Sequence, residues 1–219
     1  MLKSYVKRSG RVTTAQKNAF DTFSEQYLIP FKEEEIDLAE LFKNNDITLE
    51  IGFGSGIATA QIAQDNPNKN YIGIDVHRPG IGHLLMEIQN RKLDNLKIIE
   101  YDAAIVLEKM IPVSSLEAIH IFFPDPWPKK RHRKRRLVQK PFTETLANCL
   151  KPDGYLYFVT DWEDYAVHAL EELSAVTLLK NKYEGFAEPQ SWRPKTKFEQ
   201  KGLVKGHIIR ELLFIRENK

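Results

Sequence analysis

One cysteine, Cys149, in 219 residues excludes an internal disulfide framework and fits a reducing compartment. No apolar run approaches the roughly 20 residues that cross a bilayer, and no signal-peptide pattern opens the chain. The protein therefore reads as cytoplasmic, with no membrane partner. The six histidines are scattered, with no H-x-x-x-H pair and no second cysteine, so no metal site is expected. There is neither a G-x-x-x-x-G-K phosphate loop nor a G-x-S-x-G nucleophile elbow.

Hydrophobic residues make up 42% of the chain and charged residues 28%, as in an ordinary globular protein, and the length suits one large domain or two small ones. The net charge of +2 conceals a strong asymmetry. Seven cations fall within residues 129–136, and the first 20 residues hold five more and no acid. An acidic body with two concentrated cationic segments points to a polyanion bound at a defined place.

The longer of these segments follows the sequence Ile119-His120-Ile121-Phe122-Phe123-Pro124-Asp125-Pro126-Trp127. An apolar, β-forming run stopped by proline reads as a buried strand, which delivers Asp125 and Trp127 at its carboxyl edge. The flanking prolines restrict the turn, so a carboxylate and an aromatic ring stand beside a polycation. The charge run alone would fit a solvated helix start; its junction with Asp-Pro-Trp points to function.

A second organised stretch is Leu49-Glu50-Ile51-Gly52-Phe53-Gly54-Ser55-Gly56, which leads into a helical pattern. Strand, glycine-rich turn and helix form the nucleotide-binding half of a doubly wound fold. The next strand ends at Asp75, 23 residues after Gly52 and near the spacing at which an acid reaches ribose hydroxyls. Ile57 stands where a dinucleotide fingerprint needs its third glycine, which argues against nicotinamide or flavin and favours S-adenosylmethionine. Asp102, after a third strand, is placed to touch an adenine edge; a helix cap is the competing reading.

Further strands are expected over residues 155–160, 177–183 and 207–216, and helices over 137–150 and 162–173. Residues 185–206 read as loop. This alternation gives an α/β fold, doubly wound and Rossmann-like, with a mostly parallel sheet of about seven strands and an antiparallel last one. Asp75, Asp102, Asp125 and Asp161 would gather at its carboxyl edge. Residues 1–30 read as a basic N-terminal arm, able to order on nucleic acid, and 31–219 as a single domain. The sequence sets no oligomeric state.

These motifs together resemble the bacterial tRNA (guanine-N7-)-methyltransferase family. The resemblance is carried by residues 49–54, 76–82, 122–127, 160–162 and 196–199, with Arg8-Ser9-Gly10-Arg11 near the start, and it spans nearly the whole chain. It implies a class I methyltransferase that modifies N7 of a guanosine in the variable loop of tRNA. By the same resemblance, Glu50, Asp75, Asp102 and Asp125 line the cofactor site beside Gly52, Gly54 and Gly56, and Asp125 is catalytic. Lys129, Asp161, Thr196, Lys197, Phe198 and Glu199 would contact substrate. Arg131, His132, Arg133, Lys134, Arg135 and Arg136 would contact RNA. Two departures stand out: Asp75 occupies a position where Glu is common, and Pro128-Lys129-Lys130 replaces a more variable polar stretch. The alternatives are a same-fold methyltransferase acting on an exocyclic amine and an RNA-binding module with a vestigial cofactor pocket.

Overall fold

The strands are where period-two apolar patterns and β-branched residues concentrate: β1 (Ile47–Ile51), β2 (Asn70–Asp75), β3 (Leu96–Glu100), β4 (Leu116–Phe122), β5 (Leu150–Thr160), β6 (Leu179–Asn181) and β7 (Arg210–Arg216). They form one sheet in the order β3-β2-β1-β4-β5-β7-β6. Strands β1 to β5 are parallel, and β7 runs antiparallel to both of its neighbours. The strand order reverses between β1 and β4, so the loops after these two strands open a crevice at the sheet's carboxyl edge. The computed structural model describes Tyr5 and residues 10–218; Lys3, Lys7 and Arg8 of the expected arm lie outside the described residues.

Alternate residues divide the core between the two faces of the sheet. Leu49, Ile51, Ile119, Ile121 and Phe158 pack with residues of α5 (Ala103–Lys109), α6 (Phe142–Cys149) and α7 (Glu163–Ser174). Tyr71, Ile98, Phe122, Tyr157 and Val159 share the other cluster with residues of α1 (Thr14–Tyr27), α3 (Ile57–Asp65) and α4 (Arg78–Arg91). The short helix α2 (Leu38–Leu41) precedes β1, and α8 (Lys197–Val204) lies between β6 and β7.

Several sequence expectations need correction. The basic arm does not extend to residue 30. Thr13 and Gln16 form a capping box that starts α1, and Ala19, Phe20 and Tyr27 are buried. Residues 185–206 are not all loop, because a second capping box, Thr196 with Glu199, starts α8. The helix expected from residue 137 begins only at Phe142, directly after Pro141. Helices α4 and α5 were not marked by the sequence pattern. The turn signal at 151–154 sits inside β5 as a bulge: pairing jumps from Leu116↔Leu150 to Ala118↔Tyr155, and Asp153 has φ 63°.

Candidate active site

The loop after β1 is built on three left-handed glycines, Gly52 (φ 76°), Gly54 (60°) and Gly56 (71°). A Cβ at Gly52 or Gly54 would meet nothing, so these positions need glycine for conformation and not for space. Asp75, at the tip of β2, ties the loop down. Its Oδ2 accepts from the Gly54 N–H at 2.9 Å, and its Oδ1 accepts from the N–H groups of Val76 (2.7 Å) and His77 (2.8 Å). Burial raises its pKa, while these three donors oppose the shift. From α4, Gly80 lies so close that a Cβ there would stand 1.9 Å from the Gly54 carbonyl oxygen.

This loop bounds a cavity of about 360 Å³, within the usual range for small-molecule sites. Gly52, Gly54, Asp75 and Asp125 line it with Tyr101, Ala103 and Phe123. Three residues expected to line the cofactor site are not among those that line this cavity. Gly56 caps α3 against Leu84. Asp102 caps α5, with its Oδ1 accepting from the Ala104 N–H at 2.9 Å. Glu50 is 5% exposed beneath the loop.

Burial pushes the Glu50 carboxyl up to about 7, against the opposing effect of the Thr59 hydroxyl and with a smaller contribution from the Asp75 charge. The folded protein therefore keeps this proton after the unfolded chain has lost its own. Stability from this group is full below the ordinary carboxylate value and falls as pH rises toward 7, by about 3 kcal/mol. Glu50→Gln in the ligand-free protein should flatten the melting temperature between pH 5 and 8 and raise it at pH 8. Thermal melts across that range check this, and an unchanged pH slope would contradict it.

The turn after β4 presents the other wall. β4 and β5 run in register, with Phe122 beside Val159, so Asp125 and Asp161 leave the sheet at the same edge. Phe123 (φ 50°) and Trp127 (φ 45°) are both left-handed, an uncommon conformation for bulky residues, and Asp125 between them is exposed. A 3-10 turn, Lys130–Arg135, carries the basic run. Lys129, Lys130, Arg131 and Lys134 are exposed. Arg135 lies over the Trp127 ring at 5.0 Å, and His132 meets that ring edge-on at 5.9 Å. Arg133 is exposed and pairs with Asp164 of α7 at 2.7 Å. Arg136, expected to contact RNA, is 1% exposed, and its guanidinium is engaged by the Pro126 carbonyl and by Asp164 of α7.

The segments that follow β5 are held by charge pairs that the sequence did not reveal. Asp161 Oδ2 is 2.8 Å from His207 Nδ1. Glu199, expected to contact substrate, is instead buried, and both its oxygens accept from Arg193 at 2.7 and 2.9 Å. Arg193 also donates to Glu211 at 2.7 Å, and Tyr157 donates to Glu211. Glu199 thus anchors the segment that carries Thr196, whose side chain caps α8. Lys197 and Phe198 fall in the first turn of α8, and their side chains lie outside the described residues. Among the described residues no cluster of potential ligands suits a metal ion, and no helix is long and apolar enough to cross a membrane.

Sheet order, glycine loop and acid-tipped strands define the fold of class I S-adenosylmethionine-dependent methyltransferases. Solved structures agree. The 16S rRNA methyltransferase KamB aligns with a TM-score of 0.58 at 15% identity, covering 99% of this chain and 98% of that one. The 16S rRNA (adenine(1408)-N(1))-methyltransferase of Catenulisporales acidiphilia aligns with a TM-score of 0.56 at 13% identity, covering 84% and 93%. A family model described as a putative methyltransferase matches residues 44–212. A tRNA (guanine-N(7)-)-methyltransferase of Nitrosomonas eutropha is 49% identical over 216 residues, 98% of this chain and 96% of that protein. Its counterpart from Francisella philomiragia is 45% identical over 215 residues, 97% and 94%. The chain belongs to the tRNA (guanine-N(7)-)-methyltransferase family.

Proposed function

We propose that this protein transfers a methyl group from S-adenosylmethionine to N7 of a guanosine in the variable loop of tRNA, in the cytoplasm. One observation carries the reading: Asp125 stands on a constrained turn that is at once a wall of the glycine-loop cavity and the start of the exposed basic segment. The cavity fits the cofactor, because Gly52 and Gly54 leave their backbone open to a ligand and Asp75 fixes their positions. Gly52, Gly54 and Asp75 would hold it, with Tyr101 and Ala103 further along the cavity. S-adenosylmethionine, when bound, supplies an electrophilic methyl group on a sulfonium. The chain's own residues orient the guanine, stabilise its developing charge and grip the phosphates. We assign Asp125 to the first two tasks, Asp161 to substrate contact beside it, and Lys129, Lys130, Arg131 and Lys134 to the third.

Nucleoside mass spectrometry of tRNA incubated with the protein and labelled cofactor tests the reading. Labelled 7-methylguanosine is expected. Label on an exocyclic amine would favour the related chemistry, and tRNA binding without cofactor binding would favour an RNA-binding module.

The basic segment makes a separate expectation. Each phosphate contact contributes roughly −0.7 to −0.9 to the slope of log K against log salt. Replacing Lys130, Arg131 and Lys134 together with Gln should flatten the tRNA slope by about two units and leave cofactor affinity unchanged. Fluorescence titrations at several salt concentrations measure this. An unaltered slope would return the segment to a merely solvated turn.

A further inference from the structure

The turn that carries Asp125 contains two bulky residues, Phe123 and Trp127, in left-handed backbone conformation. Such residues cost of order 1–3 kcal/mol each and persist only where the surroundings over-determine them. Something must therefore hold this turn. On the sheet side the Phe123 N–H donates to the Val159 carbonyl at 2.8 Å. On the other side the bracing group is Arg136, eleven residues after Asp125 and 1% exposed. Its Nε donates to the Pro126 carbonyl at 3.0 Å, the carbonyl directly after Asp125. Its Nη1 donates to the Asp164 carbonyl at 3.3 Å, and its Nη2 pairs with the Asp164 carboxylate. The guanidinium plane also lies over the Tyr165 ring, 4.9 Å from its centroid. Tyr165 is fully buried, and its hydroxyl accepts from the Val138 N–H at 3.1 Å.

One planar, forked cation thus joins the turn of Asp125 to the first turn of α7, which is itself fixed in the core. Lysine has a single point of attachment and cannot reproduce this bridge. We propose that Arg136 is a positioning residue for methyl transfer: it sets where Asp125 stands by clamping the Pro126 carbonyl to Asp164 and Tyr165, and it makes no phosphate contact. Cutting this clamp leaves the charges on the RNA-facing surface intact but lets Asp125 drift, and displacements near 1 Å can cost orders of magnitude in rate. The proposal rests on Asp125 acting in the reaction. Wild-type transfer to N7 is therefore the control: its absence sinks the parent reading, and its presence leaves the decision to the variants.

The test compares full-length Arg136→Lys, Arg136→Gln and Asp164→Ala with the wild type. Calorimetric S-adenosylmethionine stoichiometry counts folded, cofactor-competent molecules, so a loss of folded enzyme is not mistaken for a loss of rate. At saturating tRNA and cofactor, kcat per competent molecule should fall about ten-fold or more in both Arg136 variants. The salt slope of tRNA binding should stay within error of wild type, where a lost phosphate contact would remove roughly 0.7–0.9 in Arg136→Gln. Should the Arg136 variants not fold, Asp164→Ala carries the test, because that carboxylate is half exposed. It should lower kcat at least three-fold, whereas Glu163→Gln, which loses the ion pair to Arg210 on the same turn of α7, should not. Where all variants fold, adding Arg136→Lys to Asp164→Ala should cost less than it does alone, as expected for two parts of one clamp. Wild-type kcat in Arg136→Lys or in Asp164→Ala, or a shallower salt slope in Arg136→Gln, would overturn the proposal.

Discussion

Asp125→Asn should lower kcat by about 10²-fold or more, while tRNA binding stays within a few-fold. Guanine N7 carries a lone pair and no proton at neutral pH, so a general base has nothing to remove. What changes during transfer is charge: the purine becomes cationic, and its N1–H and N2–H groups become stronger donors. A carboxylate that accepts from them gains as the reaction proceeds, and such differential stabilisation raises turnover. Asparagine preserves the shape, removes the charge and can turn a donor toward a donor. The exposure of Asp125 at the cavity rim leaves it available to a base presented from solution. Single-turnover transfer at saturating tRNA and cofactor measures the effect. A wild-type rate would make Asp125 structural and this mechanism wrong.

Gly80→Ala should leave the protein folded and reduce S-adenosylmethionine affinity by about two orders of magnitude, roughly 2.7 kcal/mol. Helix propensity argues the opposite sign, since alanine in a helix is favoured over glycine by about 1 kcal/mol. Geometry overrides propensity here, because the added Cβ would lie 1.9 Å from the Gly54 carbonyl oxygen, a backbone atom that no side-chain rotation relieves. Either the first turn of α4 or the glycine loop must move, and Gly54 lines the cofactor cavity. Gly82→Ala is the informative contrast. Its Cβ would press on Gln16 and Phe20 of α1 at 2.8 and 3.2 Å, so it should cost stability with little change in cofactor affinity. Calorimetry on both variants decides, and unchanged affinity in Gly80→Ala would show that the loop yields freely.

The sheet and the two walls of the cavity were legible because they are written in local signals. Apolar runs ending in Gly52, Asp75 and Pro124 each mark a strand terminus, and parallel strands place such termini on one edge. Less legible was anything that depends on which member of a uniform set turns inward. Arg131 and Arg136 are the same residue type in one charge run, yet one is exposed and the other is 1% exposed. Only the apolar Leu137-Val138 that follows hints at the difference. Glu199 was assigned to substrate by resemblance, but its partner Arg193, and Glu211, which shares that guanidinium, lie 6 and 12 residues away on segments whose packing a sequence does not display. Helices α1 and α8 are different cases. Their capping boxes, Thr13 with Gln16 and Thr196 with Glu199, are visible in the sequence, but net charge in one segment and proline content in the other outweighed them.

The position of β7 bears on how the chain is made. It is synthesised after β6 and α8, yet it lies between β5 and β6. As the polypeptide emerges, β1 to β4 can close the cofactor half of the sheet from contiguous material, in keeping with N-terminal parts folding first. β5 must then wait with one edge unpaired, and β6 has no strand partner at all until residues 210–216 slide in between. Because Glu211 belongs to that inserted strand, the Arg193 anchor is also completed only then. The β5-β7-β6 end of the sheet can therefore be completed only once residues 210–216 have been made, and until then β5 presents an open strand edge of the kind that pairs with other chains.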